Sequence, residues 1–198
     1  MRCAITFGAT GLLLLVAVAG MAQTTDPETR VAQFHQRLLE TMQSGSDFPG
    51  RFEILAAPVA DFFDIATVSR ISLGRTWRTL DADSQAQFSA LLQRLIVATY
   101  ADRFDSFDGQ SFHTLSTEPA SRGWVVRTEL ERANGERVSL DYYFREDGVF
   151  NVVADGVSDL SVRRADYNSI VKSEGYAALL ERMRDNIAEL SKLDELSP

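Results

Sequence analysis

The hydrophobic period of this chain switches at Asp108-Gly109: apolar residues recur every three or four positions before it and every second position from there to about Ala154. A period near 3.6 builds amphipathic helices and a period of two builds half-buried strands, so the switch predicts an α+β fold with its helices and strands segregated along the chain. Val31, Phe34, Leu38, Leu39 and Met42 form one helical stripe, which Gly45 ends. From Phe48 to Leu73 the helical content is broken by Pro49 and Pro58, which predicts short, kinked helices. Asp81 or Asp83 then caps the clearest helix, with Phe88, Leu91, Leu92, Leu95, Ile96, Thr99, Tyr100 and Phe104 on its stripe.

Beyond the switch, a weaker strand near Ser111 to Ser116 precedes the alternating run Trp124, Val126, Thr128, Leu130. Asn134-Gly135 makes a hairpin turn, Val138 to Arg145 pairs back, and Glu146-Asp147-Gly148 turns into Val149 to Ala154. The expectation is a four-stranded antiparallel sheet with helices packed on one face. Two helices close the chain, near Arg164 to Val171 and along Tyr176, Leu179, Leu180, Met183, Ile187 and Leu190, with Gly175 between them.

At the amino terminus, Arg2 precedes an apolar run from Ala4 to Ala19 that ends in small residues, Gly20-Met21-Ala22. That is the plan of a secretory signal cleaved after Ala22, an uncleaved anchor being the alternative, so residues 1–22 are expected to be a leader and residues 23–198 a single domain. The one cysteine, Cys3, would leave with the leader. A mature chain without thiols has no disulfide framework, thiolate metal site or cysteine nucleophile, and must be held by its core. The net charge of −8 argues against a nucleic-acid partner.

Catalytic chemistry finds little support. His35 and His113 are the only histidines, and neither sits in a nucleophile or metal-ligand motif; both are expected at the surface or its boundary. Asp61 and Asp64 are read as helix caps or solvated carboxylates rather than an acid and base pair. No catalytic residue, metal ligand or cofactor is expected.

The segments Phe63-Asp64-Ile65-Ala66, Leu73-Gly74-Arg75-Thr76-Trp77, Asp83 to Phe88, Thr99-Tyr100 and Asp155-Gly156-Val157-Ser158 occur in an order that resembles the MlaC family of periplasmic lipid carriers. Val157 to Tyr167 looks closer to the hopanoid-associated HpnM branch. The chain departs from the usual pattern in lacking an aromatic and arginine pair before the penultimate helix, and in carrying Val149-Phe150 where a tryptophan opens the last strand.

The resemblance implies a monomeric periplasmic carrier, not an enzyme. It would shuttle a membrane lipid, phospholipid or hopanoid, between an inner-membrane transporter and an outer-membrane acceptor, with its tails hidden between sheet and helices. The implied lining is Val126, Leu140, Tyr142, Phe144 and Val152 from the sheet and Leu73, Phe88, Leu92 and Ile96 from the helices, with Trp77 near the mouth. Each of these residues reads equally as plain core. Arg70, Arg75 and Arg78 read as solvated helix-end arginines, with a head-group contact as the alternative. A small hydrolase and a lipid-free adaptor are the rival functions; the first predicts titratable groups clustered in a pocket, the second a filled core and an exposed patch.

Overall fold

The computed structural model of the protein describes residues 26–145 and 148–195. The leader assigned to residues 1–22 lies outside them, as do Glu146 and Asp147 of the third turn.

Each early helix begins on an aspartate whose carboxylate accepts a backbone N–H that the helix itself cannot satisfy. Asp26 caps α1 (Pro27–Gln43) and Asp47 caps α2 (Phe48–Phe62), accepting from Gly50 at 2.9 Å. Asp64 caps α3 (Ile65–Leu73) through Thr67 at 2.9 Å, and Asp81 caps α4 (Ala82–Arg103) through Ser84 at 2.7 Å. The kinked helices expected between Phe48 and Leu73 are two, and Pro58 does not separate them: α2 runs through it. The N–H that Pro58 lacks would have met the carbonyl of Ile54, a residue 40% exposed, where solvent is at hand. The break comes instead at Phe63, whose extended backbone forms a parallel bridge with Val149, while the Asp64 N–H donates to the Val149 carbonyl at 2.9 Å. Gly74, at φ 56°, ends α3 in the left-handed region, and a 3-10 turn (Thr76–Thr79) carries Trp77.

The sheet is antiparallel throughout and its strands follow chain order: β1 (Ser111–Ala120), β2 (Gly123–Glu131), β3 (Arg137–Arg145), β4 (Gly148–Ala154) and β5 (Val157–Ser158). Among the described residues the four strands expected from sequence are therefore five. The fifth has only two residues, paired with Val153 and Ala154, too short to display any period. After it come α5 (Asp159–Glu174) and α6 (Tyr176–Glu195).

One sheet face meets the helices. There Phe34 of α1 stacks on Phe62 at 4.0 Å, and Phe62 sets its edge against Tyr142 and Phe144 of β3. The other face is ionic: Arg127 lies between Glu118 at 3.4 Å and Asp141 at 2.6 Å, and Arg137 between Glu129 at 3.3 Å and Glu131 at 2.9 Å. Exposed pairs of this kind add little stability, but they mark that face as solvated.

Candidate functional site

The helices do not fill the space over the sheet. α6 packs against α4, and Phe88 and Leu92 on the first half of α4 are fully buried. Beyond them, the second half of α4 stands over β2, β3 and β4 with a cavity of about 640 Å³ between. Its apolar wall combines Leu130, Val138, Leu140, Tyr142 and Val152 of the sheet with Ile96, Tyr100 and Phe104 of α4; Met42, Phe63 and Val68 close the inner end. Leu130, Val138, Leu140, Val152, Tyr100 and Phe104 are only half-buried although they lie on interior faces, because they border empty space rather than neighbours. A volume of several hundred Å³ with mostly apolar walls is the size and character of a small-molecule site.

The wall changes chemistry toward the mouth, where Arg103, Asp108, Gln110, Arg132, Asn134, Asp159 and Arg163 contribute. Arg163 is well covered, its side chain 13% exposed, and its Nε donates to Asp159 Oδ2 at 2.7 Å. Burial works against that charge, but the Asp159 carboxylate beside it and the hydrogen bonds to Asp159 and Tyr167 outweigh burial and raise its pKa, so the guanidinium stays charged. The Tyr100 phenol is raised chiefly by burial and further by Asp159, and so remains a neutral hydroxyl. Tyr142 is likewise raised by burial, and it shares a hydrogen bond of 2.9 Å with His35 Nε2.

Residues 31–185 match the family model described as MlaC protein, well over half of the chain. The chain belongs to the MlaC family. No curated protein matches it by sequence. Among solved structures, the phospholipid-binding protein from Ralstonia solanacearum, determined in complex with a phospholipid, shares its fold with a TM-score of 0.72. The two are 20% identical over 84% of this chain and 99% of that one.

In this MlaC family member the ten residues expected at the lining divide into two groups. Ile96, Leu140, Tyr142 and Val152 border the cavity. Leu73, Phe88, Leu92, Val126 and Phe144 are fully buried in the packed core away from it, and Trp77 is half-buried with its ring edge-on to Phe88 at 6.4 Å. Arg70, Arg75 and Arg78 are exposed and lie outside the cavity. Sequence reasoning had a signal for part of what it missed: Tyr100 and Phe104 follow Ile96 at intervals of one helical turn, and Leu130 pairs with Val138 on the face that carries Leu140. Arg163 and Asp159 gave no such signal, being polar residues on a helix with little apolar patterning.

Of the two histidines expected at the surface or its boundary, one departs from that role and one keeps it. His35 is interior, 5% exposed and stacked on Phe112 at 3.9 Å. His113 is exposed on the ionic sheet face, where Ser111 Oγ lies 3.0 Å and Glu131 Oε2 3.7 Å from its Nε2. These are the residue types of a hydrolase triad, but a triad needs the acid on one ring nitrogen and the nucleophile on the other, and here both oxygens face the same nitrogen.

Proposed function

We propose that this protein is a periplasmic lipid carrier that holds the tails of a membrane lipid in the cavity between α4 and the sheet. The cavity carries the reading: about 640 Å³ of space walled mainly by apolar side chains and fringed with charged and amide groups suits an amphiphile. Membership of the MlaC family and the phospholipid held by the Ralstonia protein of the same fold support it. The physical need is large. At ~0.8 kcal/mol per methylene, an acyl chain of roughly 15 carbons resists transfer to water by on the order of 12 kcal/mol, so unaided crossing of an aqueous compartment is negligible. A cavity offsets that cost without bond chemistry.

In this reading the leader directs export, and the carrier works as a monomer, exchanging cargo with an inner-membrane transporter and an outer-membrane acceptor. The cargo is a phospholipid or a hopanoid, the second suggested by the likeness of Val157 to Tyr167 to the HpnM branch. Native mass spectrometry of the protein purified from the compartment where it accumulates, followed by extraction of the bound molecule, tests this. One lipid per chain is expected. Folded protein that carries no lipid and takes none from vesicles overturns the proposal.

A further inference from the structure

Ile96, Tyr100 and Arg103 follow one another along the cavity-facing side of α4, four and then three residues apart. Along that line the wall passes from hydrocarbon to a hydroxyl to a cation, the polarity profile of an amphiphile. The Tyr100 hydroxyl has no hydrogen-bond partner among the described residues, yet it is not sealed off as a buried orphan, so it opens on the cavity. Across from it, Arg163 gives Nε to Asp159 at 2.7 Å and Nη1 to the Tyr167 hydroxyl at 3.4 Å, and Nη2 meets no acceptor among the described residues. An interior guanidinium with an unfilled donor edge needs an acceptor, and a ligand that displaces water from it must bring one.

The free donor edge belongs to a guanidinium, and that favours an anionic acceptor. Three arginines, Arg103, Arg132 and Arg163, border the cavity against two aspartates, Asp108 and Asp159, on a chain whose net charge is −8. Arg132 is drawn to Glu136 at 3.0 Å on the exposed hairpin, which leaves Arg103 and Arg163 facing Asp108 and Asp159, and of these Arg163 is the one held in place with a donor edge unfilled. A phosphodiester offers several anionic acceptor oxygens, which match an unfilled guanidinium edge better than a neutral hydroxyl does.

We infer that Arg163, held by Asp159 and Tyr167, forms with the Tyr100 hydroxyl an anchor for the phosphodiester of a head group, and that this anchor selects the cargo against neutral amphiphiles with the same tails. The inference rests on the carrier reading above. The test offers the full-length protein vesicles containing phosphatidylglycerol and a diacylglycerol of matched tails in equal amounts, with glycerol phosphate as a tail-free competitor, and quantifies what is bound by mass spectrometry. Wild-type protein should enrich the phosphatidylglycerol about tenfold or more, the ratio one charge-assisted hydrogen bond supports. Arg163→Met and the isosteric Tyr100→Phe should bring the two lipids toward equal uptake while total lipid per protein is maintained, a change of preference that loss of structure alone does not produce. If Arg163→Met fails to fold, Tyr100→Phe decides. Equal uptake by the wild type, or preference retained in the variants, overturns the anchor and leaves the carrier standing. Uptake of neither lipid overturns both. Glycerol phosphate competing as strongly as the lipid also overturns the anchor, by making the site one for soluble phosphate esters.

Discussion

His35 and Tyr142 lie 107 residues apart in the chain and share a hydrogen bond of 2.9 Å inside the protein, where α1 crosses β3. The phenol is part of the cavity wall and the imidazole is packed behind it, flat against Phe112. Burial lowers the His35 pKa from 6.5 to about 3. The folded protein therefore holds a neutral imidazole where the unfolded chain, below pH 6.5, binds a proton.

The sign of the pH dependence follows. Because the folded pKa is depressed, the contribution of His35 is fully present above about pH 6.5 and is lost as the pH falls toward about 3. Within that window each pH unit costs at most about 1.4 kcal/mol. Thermal melts at pH 7 and pH 4.5 should show a larger drop for the wild type than for His35→Gln, which has no charge to acquire. Equal drops would show that the imidazole titrates normally in the fold.

Gly148 opens β4 at φ 149°, and a Cβ there would stand 2.7 Å from the Phe62 carbonyl oxygen and 3.0 Å from the Asp64 nitrogen. Those atoms are backbone and belong to the junction of α2 and α3, so they cannot swing aside. Gly148→Ala should destabilise the protein by about 2 kcal/mol or more, combining backbone strain with the clash. Gly74→Ala is the matched control: its φ is 56° and its nearest neighbour would be 3.8 Å away, leaving strain of about 1 kcal/mol alone. Urea denaturation of the two variants separates the terms.

Leu140→Glu and Val152→Glu each set a carboxylate into the cavity wall, next to where tails would lie. Both positions are half-buried beside open space, so the folded state can be kept with a modest fall in Tm while lipid co-purification drops at least about tenfold. Circular dichroism confirms the fold before lipid is measured. The same substitution at Val126, wholly buried opposite Tyr142, should abolish folding instead.

Asp64 is buried at the start of α3 and its carboxylate accepts the Thr67 N–H at 2.9 Å. Asp64→Ala should cost about 1 to 2 kcal/mol, near the upper end for a lost cap because the orphaned N–H has little water to turn to. Asp26→Ala, at an exposed cap, should cost less in the same denaturation assay.

The α+β division was legible because Gly109 separates two hydrophobic periods, and Ser111 begins the sheet just beyond it. The two-residue β5 was not legible, since a pair of ladder contacts leaves no pattern in sequence. Period also finds buried faces without telling filled from hollow. Leu92 and Ile96 occupy one stripe a turn apart, yet only Ile96 borders the cavity, a difference set by the tertiary packing around each and not by the residues themselves. Trp124 shows the other limit: it shares the parity of Val126 and Thr128 but is 45% exposed at the start of its strand. Among the polar residues of the mouth, Arg163 and Asp159 face inward because β4, β5 and α5 turn them there, which is tertiary information.

The bridge from Phe63 to Val149 bears on how the chain comes together in time. The junction of α2 and α3 is made early by the ribosome, and its partner strand arrives some 86 residues later. Loop-closure entropy must be overcome before that contact is rewarded, and the contacts of α4 with α6 impose a similar delay. The amino-terminal helices must therefore wait, with Phe34, Phe62 and Phe63 lacking their final neighbours, until the last third of the molecule is present. Completion of such a fold is expected to be late and concerted, with those aromatic side chains open to a holding chaperone in the interval.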